Sequence, residues 1–181
     1  MTGDVLAGGR VVLREYRAED LDAVLRYAGD PEVTRYLPWG PEGAEEAAAF
    51  LAGAAANARE VPRAQYELAV VLQDSRDLVG GARIGVGTGP RRSGDIGYVL
   101  RRDQWGKGLA SEVAQMLLDF GFQSLRLHRI EATCDPGNIA SRRVLEKLGM
   151  TLEGRMRDDF FVRGRWRDSL LFSILAHEWR G

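Results

Sequence analysis

Cysteine is nearly missing from this chain: Cys134 is the single one in 181 residues. No internal disulfide can form, which points to a reducing, cytoplasmic setting rather than a stapled secreted scaffold. Histidine is almost as scarce. His128 and His177 lie far apart and outside any spaced group of cysteines, histidines or carboxylates, so a metal site has no evident ligands. Long apolar runs are lacking too, and with them the expectation of a spanning segment, a signal peptide or a membrane partner. Neither sign of charge is in excess: 25 Lys and Arg balance 26 Asp and Glu, leaving a net charge of -1. Neutralising a phosphate backbone needs a positive field, so nucleic acid is a poor first expectation. Repeats, linkers and charge runs are missing as well. What is present, 181 residues of which 45% are hydrophobic, suits a single domain over 1–181 with a core that needs no staples.

The rest of the chain is organised around residues 95–110, DIGYVLRRDQWGKGLA. Ile96 and Tyr98 to Leu100 read as a buried strand, two arginines and an aspartate break it, and Gly106-Lys107-Gly108 opens a helix. Glycine lets the backbone approach a ligand closely, and the free N–H groups of a first helical turn attract an anion. A Walker loop would need a hydroxyl after Lys107, where Gly108 stands, and a dinucleotide fingerprint would need glycine or alanine where Ser111 stands. The loop alone leaves an anion cradle and an ordinary glycine-rich turn both open.

Residues 10–16 read as a first strand, and Leu21, Val24 and Leu25 give helical spacing from Asp20 to Tyr27. Asp30-Pro31 ends that helix. The following loop carries Tyr36 and Trp39 among prolines, where they either floor a substrate groove or seal a core edge. Glu42 to Arg59 is alanine-rich and helical by propensity. Tyr66–Leu72 and Leu78–Val86 form a hairpin, and the Asp95 strand completes a meander. A helix with one apolar face (Leu109, Val113, Met116, Leu117, Phe120) leads to a strand over Arg129–Cys134, a crossover between parallel strands. Asn138 is placed to cap a helix that ends at Leu148-Gly149, and Thr151–Val162 with Trp166–Ala176 closes the chain as a hairpin. Seven strands are predicted in all.

In this order, the segments DPEVTRYLPWGP, DIGYVL, WGKGLASE, NIASRRVLEKLGM, LEGRMRD and GRWRDSLLFS resemble the GNAT superfamily of N-acetyltransferases. They are similar in particular to the branch with the ribosomal-protein N-terminal alanine and serine acetyltransferases. The resemblance covers nearly the whole chain. It implies an α+β fold: a mixed, mostly antiparallel seven-stranded sheet, helices on both faces, and two central parallel strands that splay.

The resemblance also implies acetyl-CoA as donor, coenzyme A as product and a primary amine as acceptor, on a monomer or homodimer. The family's pyrophosphate loop, Q/R-x-x-G-x-G/A, has Gly108 and Ala110 in its last two places and Trp105 in its first. Backbone donors of Gly106, Lys107, Gly108, Leu109 and Ala110 would serve, with Lys107 adding charge. Tyr98, Val99 and Leu100 would pair with the pantetheine amides and leave one N–H as an oxyanion donor. Asn138 would hold the arm, and Ser141 would sit beside the sulfur to protonate the departing thiolate. Asp95, where relatives often carry a glutamate, is the first candidate for the base. The branch's penultimate-strand glutamate is replaced by Phe160, which joins Tyr36 and Trp39 as a candidate acceptor contact. Asp158 and Asp159 adjoin it; alternation puts Asp158 on the face of Phe160 and turns Asp159 away unless a bulge intervenes, so neither inherits the role cleanly, and Glu67 ranks a distant fourth as base. Cys134 lacks a histidine partner and reads as core rather than nucleophile. A primary amine is the expected acceptor, with the protein N-terminal α-amines of the branch as one candidate that Tyr36, Trp39 and Phe160 do not select. The alternatives are a small-molecule acceptor such as an antibiotic or polyamine, or a non-catalytic acyl-CoA-binding module.

Overall fold

The computed structural model describes residues 4–87 and 89–181. Among them, eight strands form one sheet: β1 (Asp4–Ala7), β2 (Val11–Glu15), β3 (Gln65–Leu72), β4 (Leu78–Val86), β5 (Ser93–Leu100), β6 (Arg129–Cys134), β7 (Thr151–Val162) and β8 (Arg165–Leu175). Their spatial order is β1-β2-β3-β4-β5-β6-β8-β7, and only β5 and β6 run parallel. The sheet is thus α+β and mixed, as expected, with one strand more than the seven read from sequence. The extra strand, β1, is four residues long, too short for an alternation to be read, and exists by pairing Leu6 with Leu13 and Ala7 with Val12.

Five helices, α1 (Leu21–Ala28), α2 (Pro31–Thr34), α3 (Ala44–Asn57), α4 (Leu109–Asp119) and α5 (Ile139–Lys147), are distributed over both faces. Strand alternation divides the core between them. Leu68 and Val70 of β3 join Val113, Leu117 and Leu118 of α4 and Leu145 of α5 on one face. Ala69 and Val71 join Val24 and Tyr27 of α1 and Leu51 and Ala54 of α3 on the other. Each fully buried leucine contributes about 1.5–3 kcal/mol, so the face of α4 alone fixes that helix firmly on the sheet. Its end differs from the regular helix the spacing predicts: Phe120–Ser124 forms a π-turn, with the Leu125 N–H donating to the Phe120 carbonyl at 3.0 Å. No helix among the described residues is long and apolar enough to cross a membrane.

Candidate active site

The sheet opens at its centre. The parallel ladder runs Ser93↔Arg129, Gly94↔Ile130 and Asp95↔Glu131, then stops, although β5 continues to Leu100 and β6 to Cys134. On its other side β5 stays paired with β4 out to Gly80↔Leu100 without a register shift. The Gly87 N–H donates to the Ser93 carbonyl and the Arg101 N–H to the Val79 carbonyl, so odd-numbered residues of β5 bond toward β4. Antiparallel alternation then turns the N–H and C=O of Tyr98 and the N–H of Leu100 into the gap. The Leu100 carbonyl accepts the Trp105 indole N–H at 2.8 Å, which ties the following loop to the end of the strand.

That loop turns through two left-handed glycines, Gly106 at φ +74 and Gly108 at φ +76, a region costly for residues with a Cβ. Leu109 then starts α4, whose first N–H groups and positive dipole end face outward. Gly106, Gly108, Leu109 and Ala110 line the same large cavity as Tyr98, Val99 and Leu100, a space of about 1350 Å³. Lys107 does not join them. Its Nζ donates to Gln104 Oε1 at 3.2 Å, its carbonyl accepts from Arg10 at 2.7 Å, and it lines a smaller neighbouring cavity. A gap edged by free backbone groups that leads to a glycine-bounded helix N-terminus fits an acyl-CoA, whose amide arm needs strand-like partners and whose diphosphate needs N–H donors.

Across the gap, Asn138 Oδ1 accepts the Ser141 N–H at 3.1 Å and caps α5, leaving its amide nitrogen free to donate. The Ser141 and Tyr98 hydroxyls share a hydrogen bond of 3.1 Å. Burial pushes the Tyr98 phenol up to about 12, against the opposing effect of that bond, so it stays protonated at neutral pH. Burial also pushes the Cys134 thiol up to about 11, which leaves no thiolate for nucleophilic chemistry.

Tyr36, Trp39, Asp95 and Phe160 line the other end of the cavity, so every candidate singled out from sequence except Lys107 and Asp158 converges on one space. The floor there is the Tyr16–Tyr27 hydroxyl pair, 2.9 Å apart and buried, which needs Gly81: a Cβ at that position would stand 2.5 Å from the Tyr16 hydroxyl. Asp95 is engaged by Arg83 at 2.5 Å, and Glu67 accepts from Asn57 at 3.0 Å. Glu42, raised by burial and then by Glu46, also reaches the cavity.

Two features have no plain signal in the sequence. Arg163, at the tip of the β7–β8 hairpin, donates to the carbonyls of Thr34, Arg35, Trp39 and Gly40 at 2.7–3.3 Å, clasping the hairpin to the loop after α2. The second is Asp159, brought to the cavity by a bulge in β7.

The parallel pair parts beside a glycine-bounded helix N-terminus, with the Tyr98–Ser141 hydroxyl pair at the junction, an arrangement that suits acyl transfer from a thioester. The profile of the acetyltransferase (GNAT) domain matches residues 10–151, and the chain belongs to that family. YnaD of Bacillus subtilis (strain 168), an uncharacterized N-acetyltransferase, is 36% identical over 171 residues, covering 94% of this chain and 96% of that one. A GNAT-family acetyltransferase from Bacillus anthracis superposes with a TM-score of 0.84 at 32% identity, over 96% of this chain and 99% of its own. Mycobacterium smegmatis RimJ, solved in complex with CoA-disulfide, also gives 0.84 at 31% identity, over 99% of this chain and 89% of its own.

Proposed function

We propose that this acyltransferase moves an acetyl group from acetyl-CoA to a primary amine, with a peptide α-amine as its preferred acceptor, by direct attack in a ternary complex. The observation that carries the reading is the end of the β5–β6 ladder at Asp95↔Glu131, which leaves the backbone of Tyr98 and Leu100 facing the cavity. When bound, the donor supplies an acyl thioester. The Tyr98 and Leu100 backbone groups orient its arm and provide an N–H for the developing oxyanion, while Asn138 steadies the arm and Gly106 to Ala110 hold the diphosphate. Ser141, backed by the protonated Tyr98, returns a proton to the departing sulfur. Tyr36, Trp39 and Phe160 shape the acceptor end, and a carboxylate there takes the amine's proton.

A carboxylate is a weak base, which favours acceptors that release a proton easily. An α-amine titrates near 8 and a lysine near 10.4, so deprotonating the first costs roughly 3 kcal/mol less. Each chain supplies a complete cavity, which suits action as a monomer or as one half of a homodimer. We place it in the cytoplasm, where a lone thiol stays reduced.

Thiol release from acetyl-CoA, screened across N-terminal peptides and free amines, tests the reading. The expected result is release matched mole for mole by N-acetylated peptide, with kcat/KM on the order of tenfold above that for alkylamines. Higher turnover on free polyamines would replace the acceptor assignment. CoA binding with no release for any amine would overturn catalysis altogether.

A further inference from the structure

We propose that Asp159, rather than Asp95, takes the proton from the acceptor amine. The inference rests on the acyl-transfer reading above and adds the residue at the base position.

Regular alternation along β7 would turn Asp159 away from the cavity face that Phe160 shares. The strand does not alternate regularly. Met156 pairs with Ser169 and Phe160 with Arg167, so Arg157, Asp158 and Asp159 together stand opposite the single residue Asp168. Asp158 takes φ +52, and its N–H donates to Asp168 Oδ1 at 2.9 Å, which pins the bulge. Asp168 is held in turn by Arg155 at 2.5 Å. The excess length carries Asp159 round to the cavity, where it lies with Met156, Phe160 and Ser169.

There its Oδ2 is shielded from solvent and has no hydrogen-bond partner, the one such side-chain atom among the described residues. A native fold rarely leaves a shielded carboxylate oxygen unbonded, and an arriving ammonium is the partner this one lacks. Of the neighbouring charges, Arg157 of the same bulge is exposed and makes no ion pair among the described residues, and the others are already committed. Arg167 binds Asp135 and the Arg35 carbonyl, and Asp168 binds Arg155. Across the cavity, Asp95 binds Arg83 and Glu67 binds Asn57, while Glu42 lies on the far loop.

The alkylammonium gives one N–H proton to the Asp159 carboxylate, and the freed nitrogen lone pair forms a C–N bond to the thioester carbonyl carbon. Collapse breaks the C–S bond, whose electron pair leaves on sulfur. A second nitrogen proton reaches that sulfur through Ser141, giving amide and thiol, and Asp159 releases its proton to solvent.

The test compares wild type, Asp159→Asn and Asp95→Asn by steady-state kinetics across pH on a reactive peptide. Asp159→Asn is expected to lower kcat by about 100-fold while the KM for acetyl-CoA holds within about twofold. Its residual rate should climb with pH until the amine itself is neutral, near 8 for an α-amine. Asp159→Glu should recover part of the loss, and Asp95→Asn, whatever it does to the acceptor KM by freeing Arg83, should keep the acidic limb of the wild-type kcat profile. Should Asp159→Asn fail to fold, Asp168→Asn, which unpins the bulge, is read in its place for the same fall in kcat at constant acetyl-CoA KM. Unchanged kcat and pH profile in Asp159→Asn, or their loss in Asp95→Asn alone, would overturn the assignment while leaving the transferase intact. No thiol release by wild type with any amine would strike the transferase reading and take this assignment with it.

Discussion

The two ends of the cavity are built by different means. At the proposed donor end, apart from the Asn138, Ser141 and Tyr98 side chains at the junction, the groups that line the cavity belong to the backbone: the open edge of β5, the left-handed glycines and the first turn of α4. At the acceptor end they are side chains from α2, the loop after it, β3, β5 and β7, held by long-range ion pairs and clasps. A cofactor common to many reactions can be bound through main chain that any sequence shares, whereas an acceptor must be chosen by side chains. Away from Asn138, Ser141 and Tyr98, the donor end should therefore tolerate side-chain truncation and resist backbone change, and the acceptor end the reverse.

The largest effect is expected beneath the acceptor end. Asp20, buried at the start of α1, receives both guanidinium nitrogens of Arg14 at 2.7 and 2.8 Å and the Arg17 N–H at 2.8 Å. Burial works against its ionisation, but the Arg14 bonds and the Arg17 N–H outweigh it and hold the carboxyl below its usual range. A depressed folded value means stability that is full above the unfolded value near 4 and is lost as pH falls through the folded one. Asp20→Asn should cost about 3 kcal/mol and flatten the acid dependence of unfolding, read by denaturant titration from pH 2 to 7. Next comes the donor end: Gly108→Val puts a β-branched residue at φ +76. It should raise the KM for acetyl-CoA about tenfold and leave the acceptor KM alone, as kinetics with each substrate varied would read. Arg163→Ala, which opens the clasp, should raise the acceptor KM about fivefold with CoA affinity by calorimetry unchanged. Lys107→Ala should change acetyl-CoA KM by less than about twofold, because the side chain is turned to Gln104. A large effect at Lys107 would mean that charge, not backbone, holds the diphosphate.

The same contrast explains what could be read from the sequence. The β5 strand, glycine turn and Asn138 cap are local, each within a few residues, and pattern and turn chemistry report such features directly, whereas the parting of β5 from β6 is implied by the family resemblance alone. The α4 face and the alternation of Ile130, Ala132 and Cys134 into the core appear where periodicity put them. The acceptor end depends on pairings that leave no local mark. Arg163 meets carbonyls 123 residues or more away, and its Arg-Gly-Arg context reads only as a turn. The β7 bulge carries aspartate rather than glycine at positive φ, so Asp159 looks outward-facing until the register against β8 is known. Lys107 looks like a ready phosphate ligand, and only the packing of Arg10 and Gln104 around the loop reveals the direction of its side chain.

Amide hydrogen exchange with and without acetyl-CoA tests the central claim, that the gap between β5 and β6 and the turn after it form the donor site. Acetyl-CoA should slow exchange over 97–111 and at the start of α5 while leaving β1, β2 and α3 unaffected. Protection centred instead on 9–10 and 72–74, around the smaller cavity, or no protection in β5, would contradict it.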